Sequence, residues 1–227
     1  MKIALIGDSL TEGRPGVSFF NILKEKFPNV AFMNLGKPGE TVQSLHSRLL
    51  KMKMDPDYDL AFLWIGVNDV YSKLLKVQAQ PVVKNMNEFK EYYEKVLELV
   101  VESSKKVVTI GPAIVSENPE HESKHEIKEI NRIIESITRN YENTSFTDMR
   151  SVFINHLKTI RTSDYLNLKV MRVMADVLFY KSPSQVDKVS KKRNLHLTLD
   201  GIHLNSRGAE MVAEVYAKEI RLVSEAI

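Results

Sequence analysis

The chain alternates short apolar runs with longer amphipathic stretches. Ile3-Ala4-Leu5-Ile6 carries no polar position, which predicts a strand covered on both faces. It breaks at Gly7 and presents Asp8 and Ser9 just past its end, before the turn-rich Glu12-Gly13-Arg14-Pro15-Gly16. Val17 to Phe27 repeats Phe19, Phe20, Leu23 and Phe27 at helical spacing, and Pro28-Asn29 ends that helix. Val30 to Leu35 reads as a second strand, followed by Gly36-Lys37-Pro38-Gly39-Glu40. Thr41 to Met52 aligns Val42, Leu45, Leu49 and Met52 on one helical stripe. Asp59 to Ile65 is a third strand and runs straight into Gly66-Val67-Asn68-Asp69.

The alternation continues. Asn87 to Lys105 places Phe89, Tyr92, Tyr93, Val96, Leu97 and Val100 on one helical face, and Val107 to Ile110 is a fourth strand stopped by Gly111-Pro112. Glu126 to Tyr141 repeats Ile127, Ile130, Ile133, Ile134 and Ile137, another amphipathic helix. Ser145 to Met149 supplies a short fifth strand, and a last helix runs from about Ser206 to Ala226. Strands alternating with helices of this length imply βαβ crossovers and a parallel sheet covered on both faces. The expected architecture is α/β, a three-layer α/β/α sandwich.

The stretch between the fifth strand and Asp200 is longer than a plain connection needs. Within it, Leu166, Val170, Val173, Val177 and Tyr180 follow helical spacing, Met171, Met174 and Leu178 widen the apolar face, and Pro183 is expected to close the helix. So broad an apolar surface needs cover on more than one side. The helix at 165–182 is expected to pack on the body, with a subunit contact in a homo-oligomer or a lid as the other readings.

Composition narrows the class. At 227 residues, with 43% hydrophobic and 27% charged positions, residues 1–227 suit a single soluble domain with an inserted helical segment at about 151–197. The formal charge of +3 is too mild for a dedicated nucleic-acid binder, and Lys188 to Arg193 reads as a solvated loop. Without cysteine, disulfides and thiolate metal sites are excluded. No apolar run approaches a membrane span, and a first strand at residue 2 leaves no room for a secretory leader. The expected location is cytoplasmic.

Candidate chemistry gathers at strand ends. Ligands of open α/β sheets collect there, so Ser9 stands where a nucleophile can act, although a turn or capping serine also fits. In Asp200-Gly201-Ile202-His203 the carboxylate can fold back around Gly201 onto one ring nitrogen and leave the other free, as a Ser-His-Asp relay requires. An Asx-type turn is the plainer alternative. Gly39 can offer an unhindered backbone N–H, Asn68 a side-chain N–H and Ser9 its own amide, three donors for an oxyanion; a turn glycine and a helix cap are the alternatives. His196 is a reserve base. Asp8 and Asp69 can be read as paired carboxylates of glycosidase type or, preferably, as groups bracing loops. His121 and His125 are expected to lie on a solvated first helical turn rather than to bind a metal. Lys37 and Arg14 flank the site and suit an anionic or polar substrate, or are simply surface charge. Tyr71, Leu74 and Leu75 either line an acyl pocket or pack a short helix.

Four stretches, Gly7-Asp8-Ser9-Leu10, Asn34-Leu35-Gly36-Lys37-Pro38-Gly39-Glu40-Thr41, Gly66-Val67-Asn68-Asp69 and Asp200-Gly201-Ile202-His203-Leu204-Asn205, resemble the four blocks of the GDSL, or SGNH, hydrolase family in its order. The resemblance covers nearly the whole chain except about Ser151 to Leu197. It implies a flavodoxin-like five-stranded sheet of order 2-1-3-4-5 and serine esterase or lipase activity needing neither metal nor cofactor. By position it implies Ser9 as nucleophile, His203 as base, Asp200 as its orienting group, and Gly39 and Asn68 with the Ser9 amide as oxyanion hole. The expected substrate is a small-molecule ester (acetyl, longer acyl or lysophospholipid), cleaved through an acyl-serine, with activity falling as His203 is protonated. An acyltransferase on the same site, a binding module of this fold and a phosphate-cradling loop after the first strand are the competing readings. The last lacks a glycine-rich fingerprint.

Overall fold

A computed structural model of the protein describes residues 1–75, 80–180 and 182–225, without the side chains of Val170, Arg172, Val173, Met174 and Val177. Five strands form one parallel sheet: β1 (Lys2–Gly7), β2 (Ala31–Gly36), β3 (Leu60–Trp64), β4 (Val107–Ile110) and β5 (Thr144–Thr147), in spatial order β2-β1-β3-β4-β5. The expected three-layer, flavodoxin-like arrangement is therefore present. β3 and β4 are wholly buried, as their unbroken apolar runs predict for strands covered on both faces.

Crossovers are right-handed, so reversing the strand order beside β1 sends successive helices to opposite faces. The four-residue α1 (Ser9–Glu12) and α2 (Phe19–Lys26) follow β1, and α2 packs against the last helix, α10 (Ser206–Ser224). On the other face α3 (Val42–Met52) packs against α5 (Met86–Glu102), and α5 against α6 (Lys124–Thr138). Between β3 and α5 lies the short α4 (Val67–Leu74). Tyr216 of α10 stacks on Phe62 of β3 at 4.2 Å between ring centres, with Phe19 and Trp64 beside them. This aromatic group fixes the α2–α10 layer over the sheet.

Helix and strand ends shift by a few residues from the sequence expectations; Ala226, near the expected end of the last helix, lies outside the described residues. The segment from 149 to 197 departs further. It forms α7 (Met149–Leu157), α8 (Val170–Phe179) and α9 (Pro183–Lys192). Pro183 does not close α8, which is capped at Tyr180; it opens α9. Proline suits a first helical position because its missing N–H has no intrahelical partner there, and Ser182 caps the turn by accepting the Gln185 amide. Lys188 to Lys192 accordingly lies on α9 rather than in a loop, with Val186 and Ser190 inward and the lysines outward. The apolar stripe expected on α8 includes Val170, Val173, Met174 and Val177, whose side chains lie outside the described residues. Met171, Leu178 and Phe179 stand exposed. No described helix is long and apolar enough to cross a membrane.

The register sets up the site. Gly7 pairs with Gly36 and with Trp64, Trp64 with Ile110, and Ile110 with Thr147. All five strands thus end on one rim, and the residues just past them meet there.

Candidate active site

At that rim the Ser9 hydroxyl lies 3.0 Å from His203 Nε2, and His203 Nδ1 lies 2.8 Å from Asp200 Oδ2. All three side chains are buried. Ser9 is reached by a sharp exit from β1, where Asp8 caps α1 by accepting the Leu10 amide on Oδ1 at 2.9 Å. Asp200 and His203 share a closed loop: Leu199 donates to the His203 carbonyl, Asn205 to that of Leu197, and Thr198 bridges Leu204. Asp200 Oδ1 accepts the Ile202 and His203 amides at 3.1 and 2.9 Å. That Asx turn turns Oδ2 toward the ring. Gly201, at φ +98, completes the turn, and a methyl group there would stand 2.8 Å from Leu166 Cδ1.

With Asp200 as acceptor, the ring proton belongs on Nδ1, which leaves the Nε2 lone pair facing Ser9. Burial alone would lower the His203 pKa; the charge and hydrogen bond of Asp200, aided by Asp8 and Asp176, outweigh it and raise the value. Asp200 shows the mirror effect: burial would raise its pKa, and His203 with the two amides brings it below the ordinary carboxylate range.

Gly39 lies across the rim in a left-handed conformation, φ +73, that glycine adopts at little cost. Asn68, in the first turn of α4, donates one amide hydrogen to the Glu40 carbonyl at 3.0 Å, and its second hydrogen has no partner among the described residues. The segment between them is firmly held. Glu40 is buried and bound by Arg48 through both oxygens, and Arg48 also donates to the Leu35 carbonyl. Asp69 Oδ2 accepts the Val42 amide at 3.0 Å, while its buried Oδ1 has no partner among the described residues. Burial pushes Asp8 and Asp69 each up to about 7, opposed by the amides they accept.

Ser9, Asp200 and His203 are thus brought into contact, with Gly39 and Asn68 beside the same rim and Asp8 and Asp69 on its supporting backbone. His196 Nε2 has no hydrogen-bond partner among the described residues, and its amide donates to Glu117. His125 is exposed in the first turn of α6, whereas His121 lies before the helix and contacts Ser123. Of the two, therefore, only His125 lies on the solvated first helical turn expected for both, and no metal-holding group occurs among the described residues. Lys37 and Arg14 are exposed. Tyr71 is buried in α4 with its hydroxyl donating to the Asn167 carbonyl, so it packs the loop below Asp200. The roles of Glu40, Arg48 and Glu117 are absent from the sequence expectations: Arg48 reaches Glu40 eight positions back across the loop that opens α3, and the partners of Glu117 lie some eighty positions away.

A cavity of about 640 Å³ adjoins the site, lined by residues 13–18, Asn21, Ile22, Glu25, Tyr180 and Pro183. Ser9 and His203 do not line it. Its wall is bonded to the backbone of Ser9 and of the residue after His203, since Gly13 donates to the Ser9 carbonyl and Val17 to that of Leu204, each at 2.8 Å.

The fold is thus an open parallel α/β sheet that carries a buried, hydrogen-bonded Ser-His-Asp line at its carboxyl rim. The GDSL-like lipase/acylhydrolase family model matches residues 3–215; the chain belongs to that family and is accordingly an esterase-type hydrolase. No curated protein matches the chain. Among solved structures, an acetyl xylan esterase, AlAXEase, superposes with a TM-score of 0.67 at 19% identity, over 97% of this chain and 100% of its own. LAE5, an α/β hydrolase from the metagenome of Lake Arreo, Spain, gives 0.67 at 18%, over 95% and 92%. The acetylxylan esterase Axe2 of Geobacillus stearothermophilus gives 0.63 at 19%, over 96% and 93%. At these identities the likeness is one of fold.

Proposed function

We propose that this protein is a serine esterase that cleaves carboxylic esters of small acyl groups through an acyl-Ser9 intermediate. The observation that carries the reading is the hydrogen-bonded line from Ser9 through His203 to Asp200, 3.0 and 2.8 Å long. Ser9 Oγ attacks the ester carbonyl while its proton passes to His203 Nε2, and Asp200 stabilises the imidazolium. The developing oxyanion takes hydrogen bonds from the Gly39 and Ser9 amides and the free hydrogen of Asn68. His203 returns the proton to the leaving alkoxide, and water repeats the sequence to free Ser9. Axe2 supports the assignment by analogy: variants with one serine or one histidine replaced by alanine are described as catalytic mutants of that enzyme. The acetylxylan esterases with this fold favour a small acyl group. The alcohol portion extends toward the 640 Å³ cavity, whose Arg14, Asn21, Glu25 and Tyr180 suit a polar leaving group.

The test is hydrolysis of p-nitrophenyl esters from acetate to palmitate by wild type and Ser9→Ala, with fluorophosphonate labelling alongside. Turnover highest on the short esters, abolished with the label in Ser9→Ala, is the expected result. Turnover that survives Ser9→Ala, or a folded wild type that neither turns over nor takes the label, rules the reading out.

A further inference from the structure

Glu117 lies on the loop after β4 and is 1% exposed. No ion pair to it occurs among the described residues. Its carboxylate is satisfied instead by four donors from one short segment. Oε2 accepts the His196 amide at 2.8 Å; Oε1 accepts the Leu197 amide at 2.8 Å and both the amide and hydroxyl of Thr198 at 2.7 Å. The Thr198 hydroxyl in turn accepts the Gly201 amide at 3.1 Å, and the Ser116 amide donates to the Gly201 carbonyl at 2.8 Å. The loop carrying Glu117 is itself fastened to the sheet rim: Gly111 donates to the Thr147 carbonyl, Asn131 to that of Pro112, and Ser123 to that of Val115. A buried carboxylate costs free energy that an apolar side chain would not. Here its acceptor capacity spans the segment that leads into Asp200.

We propose that Glu117 is a positioning residue for the esterase site, fixing the 196–201 segment to the sheet so that Asp200 meets His203 and His203 meets Ser9. The proposal rests on the esterase reading for its kinetic consequence only; the placement of Asp200 against His203 is measurable without turnover. Other charged or titratable groups that act on the pair are Asp8 beyond β1, Asp176 on α8, Arg193 after α9 and Tyr71 on α4. All of them stay constant in the test.

The test compares wild type with Glu117→Gln, which preserves shape but turns an amide hydrogen toward a donor of the segment, and with Thr198→Val, which removes the hydroxyl link to Gly201. Two readouts are taken below the melting temperature of each variant: ester kinetics, and the His203 titration followed by ¹⁵N NMR of the imidazole. Glu117→Gln is expected to lower kcat about 10- to 100-fold with KM changed less than about twofold, as a misplacement of catalytic groups does. The His203 midpoint should move down toward that of a free imidazole as Asp200 loosens. Thr198→Val should move both in the same direction by less. A folded Glu117→Gln with unchanged kcat and midpoint would overturn the proposal, and if that variant does not fold, an unchanged Thr198→Val does the same. An inactive, unlabelled wild type whose His203 midpoint still falls in Glu117→Gln retains the positioning role and sinks the esterase reading alone.

Discussion

The His203 ring feels two opposing effects, burial favouring its neutral form and Asp200 favouring its charged form, and the second prevails. Because the proposed base is the neutral ring, kcat/KM should fall on the acid side, centred above the ordinary imidazole value of 6.5. An acid limb centred below that value would contradict the Asp200 contact. Asn68 tests the other half of the site. One of its amide hydrogens orients it on the Glu40 carbonyl, and the other is the proposed oxyanion donor. Asn68→Ala should lower kcat by about 10²–10³ with little change in KM, as seen in steady-state kinetics on a short ester. These residues were legible in the sequence because each directly follows an apolar run or sits in one compact turn. Glu117 and the Glu40–Arg48 pair were not. The partners of Glu117 lie some eighty positions away, and a lone glutamate in a loop looks like any solvated charge.

At the scale of elements, the segment before Asp200 holds the clearest departure. Residues 151–197 read as one broad apolar helix and a basic loop, whereas three helices form, and Pro183 starts one rather than ending one. The proline signal is ambiguous by nature, since the same ring both terminates and initiates helices; the Ser182 cap and the inward Val186 decided it. The segment also grips the site from the outside. Asn167 donates to the Asp200 carbonyl at 3.0 Å, and Arg193 binds Asp176 of α8 at 3.0 Å and the Leu199 carbonyl at 2.9 Å. Both charged side chains of that pair are over nine-tenths buried. Arg193→Ala should therefore cost about 3–5 kcal/mol, because it strands a buried carboxylate. A urea titration would register it, and an unchanged midpoint would show the pair to be expendable.

The whole molecule carries a pH dependence of its own. Burial raises Asp69 from 3.8 to about 7, so the folded protein holds a proton there that the unfolded chain releases. That contribution to stability is complete below about pH 4 and is lost as pH rises through about 7. Asparagine does not titrate, so the stability of Asp69→Asn relative to wild type should improve from pH 4 to pH 7 and level off above it. The full span corresponds to at most about 4 kcal/mol; Asp8 titrates beside it and shares the effect. Thermal melts of both proteins across that range would show converging or crossing curves. Parallel curves would mean that Asp69 stays ionised in the fold.

The sequence by itself determined the architecture and the residues gathered at its rim. Unbroken apolar runs specify strands covered on both faces, helical stripes specify the layers that cover them, and parallel strands end together, so Ser9, Gly39 and Asn68 had to emerge on one side. Only the tertiary structure decided what holds those residues in register. The Glu117 clasp, the Arg48 grip on Glu40 and the Arg193–Asp176 pair join segments whose separation along the chain bears no relation to any periodicity. Hydrophobic pattern is a local property that repeats every two or 3.6 residues, whereas a buried charge finds its partners only after the layers have closed around it.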